Sequence, residues 1–259
     1  QGLLRGIYEP RIEAEELRQL VRRRSKLVRD TSRQKNRIKS LLAFSNHSLE
    51  NFAGKQHWNE SFLLWISNLP FATQAGGWGR DAALEGLRDL ERLRKKVDKQ
   101  LIDLSRKAEH QGTLSLLKSI PGIGTVGAWV LYTELIDIHR FANVDELCGY
   151  VGLVPDQRSS GSKTVLGQMT NRGNPHIKGI LIECAWRAAN VSPYFNKIQQ
   201  RYAQRMNANK AIVRVAKRLL LVLYAVWKKQ CPYQAPSLIP DTQSQNEHKD
   251  AAGSSPGQS

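Results

Sequence analysis

The sequence predicts an all-α protein, an antiparallel coiled-coil arm followed by a compact helical domain that contains a helix-hairpin-helix. Three observations carry this. Two long stretches, Pro10 to about Phe44 and about Asp81 to His110, place apolar residues at helical or heptad spacing. An aromatic-rich segment between them ends in Pro70 and the pair Gly76–Gly77, as suits the tip of a helical hairpin. From Thr113 to about Tyr233 the texture changes to short amphipathic runs joined by glycine-rich turns.

In the first stretch Leu17, Leu20, Val21, Leu27, Val28, Ile38, Leu41 and Leu42 fall on one stripe, with Arg24, Thr31 and Lys35 interrupting its middle. The second is cleaner: Leu90, Val97 and Leu104 recur every seven residues, and Leu87 and Leu101 stand two heptads apart, which is a coiled-coil seam. Trp58, Phe62, Leu63, Trp65, Ile66 and Leu69 imply a short helix plus connector. The expected division is 1–110 for the coiled-coil connector, with an aromatic-rich insertion at 51–80, then 111–235 for the helical domain. Residues 236–259 are rich in Ser, Gln, Gly and Asp and read as a disordered tail.

Thirty-nine Lys and Arg against 23 Asp and Glu give the 259-residue chain a formal charge of +16, which favours a polyanionic partner. The tail carries three acids and one base, so the positive excess belongs to the body. With 41% hydrophobic residues, wholesale disorder is excluded. Cys148, Cys184 and Cys231 lie far apart, outside any disulfide or zinc pattern. The best apolar run, Leu219 to Trp227, follows Arg214, Lys217 and Arg218, so no membrane span is expected. A cytoplasmic setting follows, and Gln1 in place of Met suggests that upstream sequence is absent. Basic runs such as Arg22–Arg24 and Arg92, Arg94, Lys95 and Lys96 read singly as solvated helix faces.

Two motifs carry chemistry. Leu114, Leu116, Leu117 and Ile120 form a short apolar helix face, broken at Pro121-Gly122-Ile123-Gly124, after which Val126, Ala128, Val130, Leu131 and Leu135 resume helical spacing. The glycines permit turns and close approach that a Cβ blocks, and amides at the start of the next helix can hold a phosphate oxygen. Such a hairpin grips DNA backbone without reading sequence; a plain helix-helix turn is the other reading. The second motif reads as a polar, cationic loop with a flexible backbone, running from Asp156 through Gln157, Arg158, Ser159, Ser160, Gly161 and Ser162 to Lys163, with Arg172 nearby. A serine hydroxyl among cations suits attack on a phosphodiester, because cations stabilise charge developing on the phosphoryl oxygens. An ordinary Ser-Gly turn is again the other reading.

Two further helices follow, about His176 to Asn190, with Lys178 near its start, and Lys210 to Lys229. Both read as core helices with a basic outer side, and His176 and Cys184 as structural residues.

In order, "LLKSIPGIGTVGAWVLYTELIDIHRF", "LCGYVGLVPDQRSSGSK", "GQMTNRGNPHIKGILIECAWRAA" and "NKAIVRVAKRLLLVLYAVW" resemble the C-terminal transposase domain of the insertion sequence 110/116/902 family, serine-dependent recombinases of bacterial mobile elements related to the pilin invertase. The resemblance covers roughly Thr113 to Tyr233, and Tyr8 to Glu109 resembles the family's coiled-coil connector. It implies Ser160 as the nucleophile, with Ser159 as the alternative, and DNA contacts at Pro121, Gly122, Ile123, Gly124, Arg158, Gly161, Lys163, Arg172 and Lys178. It also implies DNA as partner, for some members a structured guide RNA, and a homo-oligomer built through the coiled coil.

Family members pair the serine domain with an N-terminal RuvC-like domain holding four carboxylates and magnesium. The region before Pro10 is too short for that fold, and Glu13, Glu15 and Glu16 on a charged helix substitute poorly. The expectation is therefore a chain without that domain, with no metal set or cofactor of its own, magnesium being expected only alongside the missing part. A non-catalytic DNA- or RNA-binding remnant that dimerises through the coiled coil is the competing reading.

Overall fold

The computed structural model describes residues 8–54, 57–153, 155–160, 163–169 and 173–235. The expected tail at 236–259 lies outside the described residues. The fold is helical, as expected, with one two-stranded exception.

Helices α1 (Ile12–Phe44) and α3 (Gln74–Ser105) form the arm. They run antiparallel: Arg24 pairs with Asp98 at 2.6 Å, Lys35 with Glu91 at 3.1 Å, and further out Gln34 Nε2 donates to the Ala83 carbonyl at 2.8 Å. Val21, Leu27, Ile38 and Leu42 of α1 and Leu84, Leu87, Val97 and Leu101 of α3 are buried. The three residues that break the α1 stripe each have a physical account. Arg24 and Lys35 meet acids of α3, and buried Thr31 satisfies its hydroxyl on the Leu27 carbonyl at 2.8 Å.

At the tip, α2 (Glu60–Ser67) starts at Asn59, whose side chain accepts from Phe62 N, and seats Phe62, Leu63 and Ile66 against Ile38, Leu42, Leu84 and Leu87. The second long helix begins seven residues earlier than its heptads suggest. Thr73 accepts from Gly76 N at 3.1 Å, and this cap carries Gly76 and Gly77 into the first turn of α3 instead of the connector. That helix stops at Ser105, short of His110. A new helix, α4 (Ala108–Lys118), turns the His110 ring onto Trp129 and Tyr132, with centroids 5.5 and 5.7 Å apart.

The domain is built around α5 (Thr125–Leu135), apolar on nearly every side and buried from Gly127 to Leu135 except at Tyr132. Around it lie α4, α6 (Val144–Val151), α7 (Pro175–Val191) and α9 (Ala208–Lys229), while α8 (Pro193–Ala203) packs on α7 and α9. The sequence patterns missed α8, whose Pro193 starts a helix directly after α7 and whose only fully buried anchor is Phe195. One core joins Trp129, Leu131, Leu181, Phe195 and Leu219 to Val21, Leu27, Val97 and Leu101 at the root of the arm. The arm is thus rooted in the domain across the expected boundary at 110.

The polar run expected as a flexible loop is a hairpin, β1 (Pro155–Ser160) antiparallel to β2 (Lys163–Met169). Gly161-Ser162, a two-residue Gly-Ser connection, is a hairpin signal, and Thr164, Val165 and Leu166 supply strand-forming residues. Among the described residues no helix is long and apolar enough to cross a membrane.

Candidate functional site

The hairpin leaves the domain from the end of α6 and returns to the start of α7. Gly152, left-handed at φ 80°, ends α6, and its amide and that of Leu153 both donate to the Cys148 carbonyl at 3.0 Å. After β2, and just before α7, Gly173 has φ +111°. A Cβ there would lie 2.6 Å from Gly152 N and 2.7 Å from Gly152 Cα, so backbone touches backbone at the hairpin's two feet. The Asn174 amide then donates to the Tyr150 carbonyl at 3.0 Å. Beyond this clasp the strands pair with Ser159 opposite Thr164 and Ser160 opposite Lys163, at the turn end of the hairpin. Five residue steps at about 3.3 Å each put Ser160 about 17 Å along the strand from Pro155.

Beneath the clasp lies a polar network that the sequence patterns did not reveal. Asn174 caps α7 by accepting from the amides of His176 and Ile177, with Pro175 at the first helical position. Its Nδ2 donates to Glu134 Oε2 at 2.8 Å. Glu134, whose side chain is 2% exposed, receives Arg22 of α1 in a two-pronged pair, Nε to Oε1 at 2.7 Å and Nη2 to Oε2 at 2.8 Å. Burial alone raises the Glu134 pKa, but the hydrogen bonds from Arg22 and Asn174 and the Arg22 charge outweigh it and hold the carboxyl below its ordinary value. Tyr150 donates to the Glu134 carbonyl at 3.3 Å, and Arg18 Nε to the Thr133 carbonyl at 3.0 Å.

Arm, central helix and hairpin base are therefore joined through one carboxylate. The signal that could have found it is Glu134 itself, an acid in an otherwise apolar helix. Arg140 adds a cation beside the base, its guanidinium 4.5 Å from the Tyr150 ring and 4.6 Å from that of Phe141.

The Pro121–Gly124 turn divides its labour. Gly122 has φ +88°, and a Cβ on it would lie 2.6 Å from Ala188 N and overlap the Cys184 carbonyl, so this glycine lets the turn press against α7. Ile123 is buried, which keeps its side chain from any ligand. Pro121 is half-buried, whereas Gly124 is exposed, has open space where a Cβ would go, and starts α5 with no side-chain cap. The first amides of α5 consequently lack a side-chain acceptor. Lys178 sits in the first turn of α7, half-buried, its amide donating to the Asn174 carbonyl.

Among the other expected site residues, Arg158, Ser159, Ser160 and Lys163 lie on the two strands, their side chains outside the described residues. Gly161 and Arg172 lie outside the described residues altogether. Burial raises the Cys148 pKa and pushes the Cys184 thiol up to about 11, as fits packed, unreactive side chains. His176 is held below its ordinary pKa first by burial and then by Arg22, Arg29 and Lys26, against the pull of Glu134.

A magnesium ion does not fit the acids described: both Glu134 oxygens are engaged, Glu15 bonds Arg18 and Gln19, and no group of three or more potential ligands comes together among the described residues.

Residues 114–200, from α4 through the hairpin and α7 into α8, match the transposase IS116/IS110/IS902 family. Over this stretch the chain is similar to transposases of that family. The transposase for insertion sequence element IS1111A of Coxiella burnetii is 26% identical over 253 residues, covering 89% of this chain and 64% of the relative. The Sinorhizobium fredii protein y4qE, whose name describes it as a transposase, is 26% identical over 185 residues, 71% of this chain and 43% of its own. The transposase for IS1328 of Yersinia enterocolitica is 37% identical over a shorter stretch, 28% of this chain and 22% of the relative. The chain thus spans between about two fifths and two thirds of the length of the first two relatives. The family match contains the hairpin, both of its feet and the Pro121–Gly124 turn.

Proposed function

We propose that this chain is the serine-bearing part of a transposase that cuts and rejoins the DNA of a bacterial insertion sequence. The observation that carries the reading is the coincidence of the family match with the clasped hairpin. A projecting strand pair with its feet locked backbone to backbone offers a serine at fixed reach from a cationic body. In the proposed step a serine hydroxyl, Ser160 or its neighbour Ser159, attacks a phosphodiester phosphorus. The Oγ–P bond forms, one bridging P–O bond breaks, and the departing deoxyribose oxygen takes up a proton. The covalent link keeps the ester energy for rejoining when a second strand end reverses the attack.

Arg158, Lys163 and Arg172 would stabilise the charge on the phosphoryl oxygens. The uncapped start of α5 at Gly124, and Lys178 at the start of α7, would hold backbone phosphates elsewhere on the duplex. In this reading the helix-hairpin-helix positions DNA and the hairpin performs chemistry. A RuvC-like domain on a longer chain or a partner would supply carboxylates and magnesium for the complementary cut. A homo-oligomer through the arm, a guide RNA and a cytoplasmic, nucleoid-associated setting belong to the same proposal.

Covalent trapping tests it. The chain, alone and with a supplied RuvC-like half, is incubated with element-end DNA and resolved under denaturing conditions. An adduct that disappears when Ser159 and Ser160 are both replaced by Ala is expected. An adduct that survives the replacement, or none in either mixture while DNA binding persists, returns the chain to the competing reading of a nucleic-acid-binding protein.

A further inference from the structure

The cations of α1 are sorted by face. The helix carries ten Lys and Arg against four acids, and beyond Glu16 its only acid is Asp30; α3 is nearly balanced, with seven bases and six acids. Toward α3, Arg24 and Lys35 are neutralised by Asp98 and Glu91. Stepping 100° per residue, Arg22, Lys26, Arg29, Arg33 and Arg37 fall within an arc of about 80° on the opposite side from buried Leu27, Thr31 and Ile38. Arg22 is taken by Glu134, and Arg33 meets Asp30 at 3.2 Å on the surface. Among the described residues no acid pairs with Lys26, Arg29 or Arg37, and all four residues beyond Arg22 are exposed.

Beyond Arg22 such a row repels itself along the helix and, lying opposite the buried stripe, takes no part in the packing of α1 on α3. It also has an address. It begins at Arg22, under the hairpin base, and Arg22, Lys26 and Arg29 are the cations whose field reaches His176 at the head of α7.

We propose that this outward face of α1 is a track for the phosphate backbone of duplex DNA, continuous with the hairpin base. A straight, rigid row of positive charge with no groove and no aromatic side chain among its members fits a regular duplex backbone better than unstacked single strands, which call for stacking platforms. From Arg22 to Arg37 the row spans about 22 Å, the length of about six base pairs. The proposal rests on the DNA reading above and extends it from the domain onto the arm: duplex bound at the hairpin runs along α1 and leaves the α3 face free.

The test is the salt dependence of duplex binding by the full chain, using a 30-base-pair element-end duplex and fluorescence anisotropy. Replacing Lys26, Arg29, Arg33 and Arg37 by Gln removes four exposed charges. It should make the slope of log affinity against log salt shallower by about 3 to 4, and weaken binding about a hundredfold at low salt. The matched control, Arg88, Lys95, Lys96 and Lys99→Gln on α3, removes the same charge and should change affinity less than about threefold.

Equal losses in the two variants would reduce the effect to net charge and overturn the track. So would an unchanged slope in a stripe variant that keeps its helical circular dichroism, or a loss confined to a structured RNA probe. The serine proposal is separated by Ser159→Ala with Ser160→Ala: the track requires the full slope there whatever becomes of the adduct, and a shallower slope counts against it.

Discussion

Glu134→Gln is the most informative single substitution in the domain. It keeps the shape of the side chain but removes the charge that Arg22 pairs with at 2.7 and 2.8 Å. Breaking a buried ion pair from one side costs about 3 to 5 kcal/mol, because the remaining charge is left unpaired. Arg22 is 30% exposed and can recover some hydration, so a smaller cost, about 2 to 3 kcal/mol, is expected here. For a domain of this size that corresponds to a fall of about 5 to 10 °C in Tm.

Urea unfolding of Glu134→Gln, Arg22→Gln and the double variant should give a coupling energy of about 2 kcal/mol, since the double variant removes both charges together. The exposed pair Asp89–Arg92, at 3.0 Å, should give less than about 0.5 kcal/mol in the same cycle. The network also holds Asn174 at the hairpin's foot, so Glu134→Gln should slow adduct formation more than it weakens DNA binding. A coupling energy no larger than that of the exposed pair would refute the claim that this carboxylate ties arm, domain and hairpin together.

Three further outcomes are expected. Gly122→Ala should cost about 3 kcal/mol or more, because its φ of +88° and the backbone of α7 leave no room, whereas Gly124→Ala should cost under about 1 kcal/mol; chemical denaturation separates them. Stability should fall on acidification: His176 and His110 titrate below 6.5 in the folded chain, so the unfolded chain binds their protons first, and the loss begins as pH drops through about 6.5 and continues toward the folded values. Below about pH 4.5 the lowered pKa of Glu134 adds a second loss, and His176→Asn should flatten the first step in a Tm-against-pH series. Thiol labelling of the native chain should modify exposed Cys231 quickly and leave buried Cys148 and Cys184 until unfolding.

What the sequence made legible was whatever repeats. Heptads at Leu87, Val97 and Leu101 marked the arm, and the apolar spacing around Pro121–Gly124 marked two helices and their turn. Ends were read less well, since a single cap decides them: Thr73 moved the start of α3 past two glycines that looked like a break. The hairpin reads as a loop because its residues are polar and no alternation of apolar side chains announces it; the Gly161-Ser162 pair between Ser160 and Lys163 is the one local signal for it. The network below it joins residues 112 and 40 positions apart in the chain, Arg22 to Glu134 and Asn174 to Glu134, and no local pattern carries such a separation. For the same reason the role of Gly122 became visible only when α7 was seen against it.

In the proposed reaction a serine on the clasped hairpin becomes linked to DNA. Peptide mass spectrometry of the adduct formed on a phosphorothiolate duplex, in which the leaving sulfur cannot readily re-attack, measures this directly. The expected result is a nucleotide-modified peptide spanning Arg158 to Lys163 with the added mass on Ser160 or Ser159. A modified peptide from anywhere else in the chain would contradict it.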